Sequence, residues 1–246
     1  GIIFVQIDTE GGAAAVATAS MRDIPVVGSN TRVNSNQLAS YVGSNDVKSG
    51  RMEAESVLEC MDGEGNVVII EGPIGQSAQI ERRKGNLEAL EQYPAVEILE
   101  MKTANWSRAE ALALMENWLS AYPDQIDGVI GQNDEMALGA IQAIEQAGLD
   151  VEDFCIAGID GVTDAMLAVK EDKMVSILQD ATAQAQGALD VLMARIVGPD
   201  YQPKATVWEE IPFDGGSEAV YNVPWVPITE QNVDALLEER EKLTTR

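Results

Sequence analysis

Short apolar runs alternate with longer stretches of helical periodicity along the chain, and this alternation constrains the fold more than any other feature of the sequence. Runs such as Val67–Ile70 have the length and composition of buried strands. In the stretches between them, apolar residues recur three and four positions apart, as they do in helices that cover a sheet. The pattern predicts an α/β protein in which parallel strands are joined by crossover helices.

The same pattern gives the positions of the main elements. The predicted strands are Gly1–Ile7, Pro25–Gly28, Val67–Glu71, Glu97–Lys102, Gly128–Gly131, Phe154–Ile159, Val175–Leu178 and Thr206–Ile211. The helices with clear periodicity are Ile80–Glu91, Arg108–Ala121, Met136–Gln146 and Ala181–Ile196. The second of these helices is the best defined, because Ser107 can cap its start and Pro123 follows its end.

The charge balance excludes several classes of partner. The 246 residues include 16 basic and 41 acidic ones, which gives a net charge of −25. Such a chain repels phosphate backbones and anionic lipid surfaces, so we expect no nucleic-acid partner. A solvated surface that maintains solubility explains this acidity, which is also compatible with selection of neutral or cationic ligands. No apolar run approaches the roughly 18 residues that a membrane-spanning helix needs.

The absence of histidine argues against catalysis. The sequence contains no His, so it lacks the usual general base, the commonest metal ligand and every His-containing triad. Acidic pairs such as Glu209-Glu210 have no recognisable catalytic partner, and a solvated face explains them better. We therefore predict no catalytic residue, no metal site and no cofactor.

The two cysteines do not form a recognisable motif. Cys60 falls near the end of a predicted helix and Cys155 within a predicted buried strand. Their spacing resembles neither a zinc site nor a CxxC redox pair. We expect independent, buried or half-buried thiols, and a disulfide is the alternative.

Several segments in register resemble one protein family. They are Ile24–Val27, Tyr41–Asp46, Gly72–Ala78 followed by Arg82–Gly85, Gln132–Ala140 and Gly158–Gly161. Each segment is weak evidence alone. Their common order and spacing resemble the sugar-binding branch of the type I periplasmic binding proteins, the ribose-binding protein family.

The resemblance implies two doubly wound parallel-sheet lobes joined by a three-segment hinge. The expected crossings lie near Ser44–Asp46, Gln179–Asp180 and Phe213–Gly216, where turn-forming residues separate strands from helices. The N-terminal lobe would then comprise residues 1–44 and 180–213, and the C-terminal lobe with its tail residues 45–179 and 214–246. Compared with the family, the first lobe is expected to lack its first two strand–helix units, roughly 60 residues.

The resemblance also implies a set of ligand-binding residues. Sugar hydroxyls both donate and accept hydrogen bonds, so planar polar side chains at strand ends suit them, and an aromatic face covers the ring. Arg82 would supply a fork of donors, and Asn133 and Asp160 would lie at strand ends of the second lobe. The other expected ligand-binding residues are Asn30, Trp106 and Gln179.

These residues also have structural interpretations. Asn133 could simply cap a helix, and Asp160, which precedes a glycine, could be a turn residue. Arg82 could lie on a solvated helix face, and Trp106 could pack in the core. We assign the neighbouring Asp134 to helix capping.

One first-lobe position departs from the family pattern. Many relatives have Arg where this chain has Thr31. Arg32 is therefore an alternative source of the first-lobe contact.

The function implied by the resemblance is capture of a small neutral sugar, polyol or cyclitol, with inositol-like ligands nearest. The protein would close around its ligand and deliver it to the membrane permease of an ABC importer. It would work in the periplasm or outside the cytoplasmic membrane, as a monomer if full length. The alternative is the ligand-binding core of a lac-repressor-type transcription regulator, which the acidity and the motif match disfavour. An enzyme is the third and least favoured reading.

Overall fold

The alternation of strands and helices is present in the structure, a computed structural model that describes residues 1–244. The strands are β1 (Ile2–Phe4), β2 (Val26–Ser29), β3 (Ser40–Gly43), β4 (Glu64–Glu71), β5 (Ala95–Thr103), β6 (Gly128–Gly131), β7 (Cys155–Asp160), β8 (Val175–Gln179), β9 (Val220–Asn222) and β10 (Trp225–Ile228). The helices are α1 (Gly11–Ser20), α2 (Asp46–Cys60), α3 (Ser77–Leu90), α4 (Arg108–Ala121), α5 (Asp134–Gln146), α6 (Thr163–Lys170), α7 (Ala181–Val197) and α8 (Val233–Thr244). The predicted α/β class with parallel sheets is confirmed.

The chain divides into two compact units. Unit 1 consists of Gly1–Asn45, Gly75–Ala78 and Asp180–Trp225. Unit 2 consists of Asp46–Ile74, Gln79–Gln179 and Val226–Arg246. Residues 214–246 were expected in the second lobe, whereas residues 214–225 group with unit 1 because β9 pairs with β3. Residues 245–246 of that predicted tail lie outside the described residues.

Unit 1 contains a four-stranded sheet in the order β1-β2-β3-β9. Its strands pair in parallel, with Ile3 opposite Val27 and Tyr41 opposite Val220. Helix α7 packs on this sheet through Val191, which lies in one core cluster with Val27. Strand β3 was not predicted from the sequence, because it has only four residues and includes Ser and Gly.

Unit 2 contains a six-stranded sheet in the order β10-β8-β7-β6-β4-β5. Successive side chains of β4 point to opposite faces, as they must in a strand. Val67 and Ile69 pack with α2 and α3, while Val68 and Ile70 pack with α4 and α5. Burial on both faces explains why this strand reads as a continuous apolar run in the sequence.

One predicted strand is wrong. The apolar residues of Thr206–Ile211 suggested a strand, but Thr206–Glu209 forms a 3-10 helix. The buried carboxylate of Asp190 in α7 explains the difference. It accepts hydrogen bonds from the backbone of Lys204 and Ala205 and from Nε1 of Trp208, at 2.9, 2.7 and 2.7 Å. These bonds hold the segment as a turn against α7.

The prediction of two independent thiols is also wrong. Cys60 and Cys155 form a disulfide, and their α-carbons are 5.8 Å apart. Cys60 is the last residue of α2 and Cys155 the first residue of β7, and these two elements pack together in unit 2. The end of the helix therefore lies beside the start of the strand, a proximity that sequence spacing does not show.

Among the described residues, no helix is both long enough and apolar enough to cross a bilayer.

Candidate functional site

Polar side chains gather where the strands of unit 2 end. Strands β4, β6, β7 and β8 run parallel, so their last residues lie at one edge of the sheet. Asn133 follows β6 by two residues, Asp160 ends β7 and Gln179 ends β8. The carboxyl edge of a parallel sheet is where open α/β folds bind ligands.

Arg82 reaches this edge from helix α3. Its side chain is only 4% exposed, and its Nε donates to Oδ1 of Asp46 at 2.9 Å. Its Nη1 donates to the carbonyl oxygen of Gln132 at 2.5 Å and lies 3.9 Å from Oδ1 of Asp160. Burial opposes the charge of Arg82, yet Asp46 and Asp160 hold its pKa above the ordinary value. The interpretation of Arg82 as a solvated helix residue is therefore excluded.

The close approach of α2 and α3 brings Asp46 and Arg82 together. Gly50 of α2 faces the backbone of Arg82, and a β-carbon at Gly50 would lie 2.2 Å from the Arg82 carbonyl oxygen. Gly85 of α3 faces α2 in the same way, and a β-carbon at Gly85 would lie 2.1 Å from the carbonyl oxygen of Val47. Any larger residue would push the helices apart, so both glycines serve this contact.

Asp160 and Asn133 form a hydrogen-bonded pair beside Arg82. The side chain of Asp160 is 31% exposed, and Asn133 hydrogen-bonds to it. Burial raises the pKa of Asp160 to about 7; Arg82 opposes this shift, whereas Asp134 and Asp46 add to it. The backbone of Asp160 has a φ of 129°, which is uncommon for a residue with a side chain.

Asn133 also caps α5, as its structural interpretation predicted. Its Oδ1 accepts from the backbone nitrogen of Met136 at 3.0 Å. The assignment of Asp134 to capping is wrong. This buried carboxylate accepts from Ser176 Oγ at 2.7 Å and from the Val162 backbone nitrogen at 2.9 Å, and so fastens α5 to β8 and to the loop after β7. Burial raises the pKa of Asp134 to about 6, and these hydrogen bonds oppose the shift.

Trp106 combines core packing with a place beside the arginine. Its half-buried ring packs against the core cluster of unit 2, and the guanidinium carbon of Arg82 lies 5.6 Å from the ring centroid. The ring lies on Gly72, where a β-carbon would be 2.0 Å from Trp106. Trp106 has a φ of 60°, an outlier for a bulky residue.

Gln179 lies at the same edge of the sheet as Asp160. It follows Leu178, the residue paired with Asp160 in the β7–β8 ladder. Its side chain is half-buried. The predicted strand ended one residue earlier, at Leu178, and Gln179 was expected in a crossing between the lobes.

Asn30 belongs to unit 1. It follows β2 and has a φ of 62°. Its Nδ2 donates to Oε1 of Gln184 at 3.2 Å, and Gln184 in turn donates to Ser44 Oγ at 2.9 Å. Its backbone oxygen accepts from the hydroxyl of Tyr41 at 2.7 Å.

The structure distinguishes Thr31 from Arg32, the two residues that follow Asn30. Thr31 is buried, and its hydroxyl exchanges hydrogen bonds with the backbone of Gln6 at 3.0 and 2.7 Å. The guanidinium of Arg32 stacks over Tyr41, 4.3 Å from the ring centroid. Thr31 thus has a structural role within unit 1, whereas Arg32 places a positively charged group over the Tyr41 ring.

A buried polar network lies beneath Arg82, and it was not predicted from the sequence. Asn86 donates from Nδ2 to the carbonyl oxygen of Gly50 and to Oε1 of Glu53, both at 2.7 Å. Gln132 donates from Nε2 to Oδ1 of Asn86 at 3.5 Å. Burial raises the pKa of Glu53 well above its ordinary value, although the bond from Asn86 opposes this. Asp46 and Gln132 lie within the sequence motifs that carried the family resemblance. Their place in those motifs was the one signal in the sequence that could have pointed to them.

The chemistry of the unit 2 site suits hydroxyl groups. A guanidinium, a carboxamide and a carboxylate supply donors and acceptors next to an aromatic face. No group of three or more side chains suited to a metal ion occurs in the part of the chain that the structure describes.

Comparisons with known proteins identify the family of the chain. The periplasmic binding protein domain family matches residues 1–200. A xylitol-binding protein of Mycolicibacterium smegmatis is 36% identical over 98% of this chain, and a putative rhizopine-binding protein of Rhizobium meliloti is 37% identical over 78%. The chain spans 65% and 64% of the length of these two relatives.

Solved structures of binding proteins also resemble this chain. An ABC transporter solute-binding protein of Bacillus halodurans with bound myo-inositol superposes with a TM-score of 0.83 at 31% identity, covering 97% of this chain and 77% of that one. A Caulobacter myo-inositol-binding protein also has a TM-score of 0.83, at 26% identity, covering 97% of this chain and 77% of that one. All four of these proteins are binding proteins by name. The chain belongs to the periplasmic binding protein domain family.

Proposed function

We propose that the chain is the substrate-binding part of an ABC importer and that it binds a sugar, polyol or cyclitol. The observation that carries the proposal is the convergence of Arg82, Asp160 and Asn133 beside the Trp106 ring at the carboxyl edge of the unit 2 sheet. Adjacent hydroxyls match the paired oxygens and nitrogens of these side chains. The aromatic face suits the C–H surface of a ring or chain.

The proposal extends to both units and to the membrane permease as a partner. Units 1 and 2 would be the two lobes, and Asn30, Arg32 and Gln179 would add ligand contacts when the lobes close. The closed form would dock on a membrane permease, and no cofactor would be needed. Xylitol and myo-inositol, the ligands that the names of two relatives state, are the first ligands to test. A monomer without nucleic-acid partners fits the charge of −25.

An extracytoplasmic location is part of the proposal. The Cys60–Cys155 disulfide supports it, because disulfides persist in oxidising compartments such as the periplasm. The family resemblance to solute-binding proteins of importers supports it independently.

A thermal-shift screen tests the ligand class. Xylitol, myo-inositol, ribose and glucose would be titrated up to millimolar concentrations, with an anionic sugar phosphate as the negative control. A ligand at 100 times its Kd stabilises the folded state by about 2.7 kcal/mol, so the Tm should rise progressively with concentration. Isothermal calorimetry on Asp160→Asn should then show weakened binding. The matched control is Asp164→Asn, whose side chain is 59% exposed and pairs with Arg108. No shift with any of the four ligands would end the proposal.

A further inference from the structure

Gln132 joins the two groups that would face a ligand in unit 2. It directly follows β6 and is completely buried. Its backbone oxygen holds Nη1 of Arg82 at 2.5 Å. Its side-chain Oε1 accepts from the backbone nitrogen of Gly72 at 3.0 Å. Gly72 follows β4 and forms the floor under the Trp106 ring.

The floor under Trp106 is fixed from both sides. The nitrogen of Gly72 is held by Gln132, and its oxygen accepts from Thr103 Oγ1 at 2.7 Å. The absent β-carbon lets the indole lie directly on the backbone, so a shift of Gly72 moves the ring. Trp106 also keeps an uncommon φ of 60°, a conformation that persists only where surrounding contacts hold it.

The amide nitrogen of Gln132 is hydrogen-bonded as well. Its Nε2 donates to the carbonyl oxygen of Gln79 at 3.3 Å and to Oδ1 of Asn86 at 3.5 Å, both on α3. Arg82 lies on the same helix. One buried side chain therefore connects the helix of the arginine with the backbone beneath the tryptophan.

We infer that Gln132 is a positioning residue for ligand binding, which sets the Trp106 ring relative to the Arg82 guanidinium without contacting the ligand. This inference rests on the proposed function. It assigns the role to the side chain, since the backbone oxygen that binds Arg82 is present whatever residue stands at this position. Removing the carboxamide should release Gly72 and weaken ligand binding through Trp106.

The test is a double-mutant cycle with Gln132→Met and Trp106→Ala, measured as the Kd of a polyol by calorimetry. Methionine keeps the length of the side chain and removes its hydrogen bonds. We expect Gln132→Met to weaken binding about tenfold, which is about 1.4 kcal/mol, and to add less than about twofold in the Trp106→Ala background. The control cycle pairs Trp106→Ala with Ser176→Ala, another buried hydrogen-bonding residue, and should be additive. Additive losses for Gln132→Met, or an unchanged Kd, would overturn the inference.

A second readout needs no ligand. The emission of Trp106 is a difference between two spectra, recorded with and without the Trp106→Phe substitution. The difference is taken once in the unmodified protein and once in the Gln132→Met background. Acrylamide quenching of this difference should increase in Gln132→Met, and unchanged quenching contradicts the inference. If no polyol binds the unmodified protein, the proposed function fails while the quenching still decides the positioning role. Should Gln132→Met not fold, Thr103→Val removes the other bond to Gly72 at a half-buried position and is expected to act in the same direction.

Discussion

At the scale of single residues, one guanidinium lies among four carboxylates in unit 2. Arg82 interacts electrostatically with Asp46, Asp160, Glu53 and Asp134. A buried site of this kind cannot hold four full negative charges against one positive charge. Burial raises the pKa values of Asp134, Asp160 and Glu53, and neighbouring carboxylates add to the shift at Asp160 and Glu53. Arg82 opposes all three shifts.

Lysine should not replace Arg82 in polyol binding. Arg82→Lys keeps the charge but cannot reach both Asp46 and the Gln132 oxygen with a planar pair of donors. Hydrogen bonds of charged groups contribute about 1.5–3 kcal/mol each, so we expect at least tenfold weaker polyol binding in calorimetry. The matched control is Arg83→Lys, whose side chain is 45% exposed and lies 3.6 Å from Glu71. Equal affinities of the two variants would contradict this role of Arg82.

Glu53 should destabilise the protein as the pH rises. Burial raises its folded-state pKa above the unfolded value of about 4.3. Its contribution to stability is therefore complete below that pH and is lost as the pH rises through the folded-state pKa. Glu53→Gln keeps the acceptor for Asn86 and cannot ionise. Urea unfolding should give similar free energies for this variant and the parent near pH 4, and a larger value for the variant near pH 8.

The control for Glu53 lies one half-turn along the same helix. Glu55→Gln removes the same formal charge at a half-buried position, so it corrects for the change in net charge. Its difference from the parent should be small at both pH values. If Glu53→Gln behaves in the same way, then the buried carboxyl group is not the source of the pH dependence.

The sequence was informative about single residues where a motif carries them. Arg82, Asn133 and Asp160 could be named because their segments match the family in register, and the structure brings them together. The residues that hydrogen-bond to these three in unit 2 were harder to predict. The contact of Asp46 with Arg82 depends on how closely α2 approaches α3, and sequence spacing does not reveal that distance.

At the scale of elements, prediction succeeded where burial is strongest. Strands β4, β6 and β7 have apolar stretches buried on both faces, and such stretches cannot be mistaken for a surface segment. Short pairings such as β9, with three residues, carry no comparable pattern. The turn at Thr206–Glu209 depends on a carboxylate whose hydrogen bonds span 14 to 18 residues of sequence, so local propensity pointed to the wrong structure.

The disulfide should stabilise unit 2 without shaping the ligand site. It joins the last residue of α2 to the first residue of β7, at the opposite end of that strand from Asp160. It closes a loop with a sequence separation of 95 residues, for which disulfides typically contribute about 2–4 kcal/mol. The double variant Cys60→Ser/Cys155→Ser should melt at a lower temperature and bind polyols within about twofold of the parent.

Reduction provides the control for the disulfide. A thiol reductant should lower the Tm of the parent to that of the serine variant and leave the variant unchanged. A parent protein that melts at the same temperature with and without the reductant, while its thiols titrate as reduced, would contradict a stabilising role.

At the scale of the whole molecule, two α/β units share a large excess of negative charge. The class of each unit follows from the alternation of strand and helix patterns, because that alternation reflects burial along the entire chain. The exact residues at which the chain leaves one unit could not be derived in the same way. Residues 214–225 stay with unit 1 because of the short β9 pairing, which the hydrophobic pattern does not mark.

The net charge of −25 should make stability depend on ionic strength. Self-repulsion destabilises a compact state, and salt shortens the Debye length from about 30 Å at 0.01 M to about 8 Å at 0.15 M. The pair Arg82–Asp46 is buried and is screened much less. If screening relieves about 1 kcal/mol, the Tm should rise by about 2–4 °C between these salt concentrations in calorimetry. Tetramethylammonium chloride should act like NaCl if screening is the cause, and a Tm that falls with salt would show that attractive surface ion pairs outweigh the repulsion.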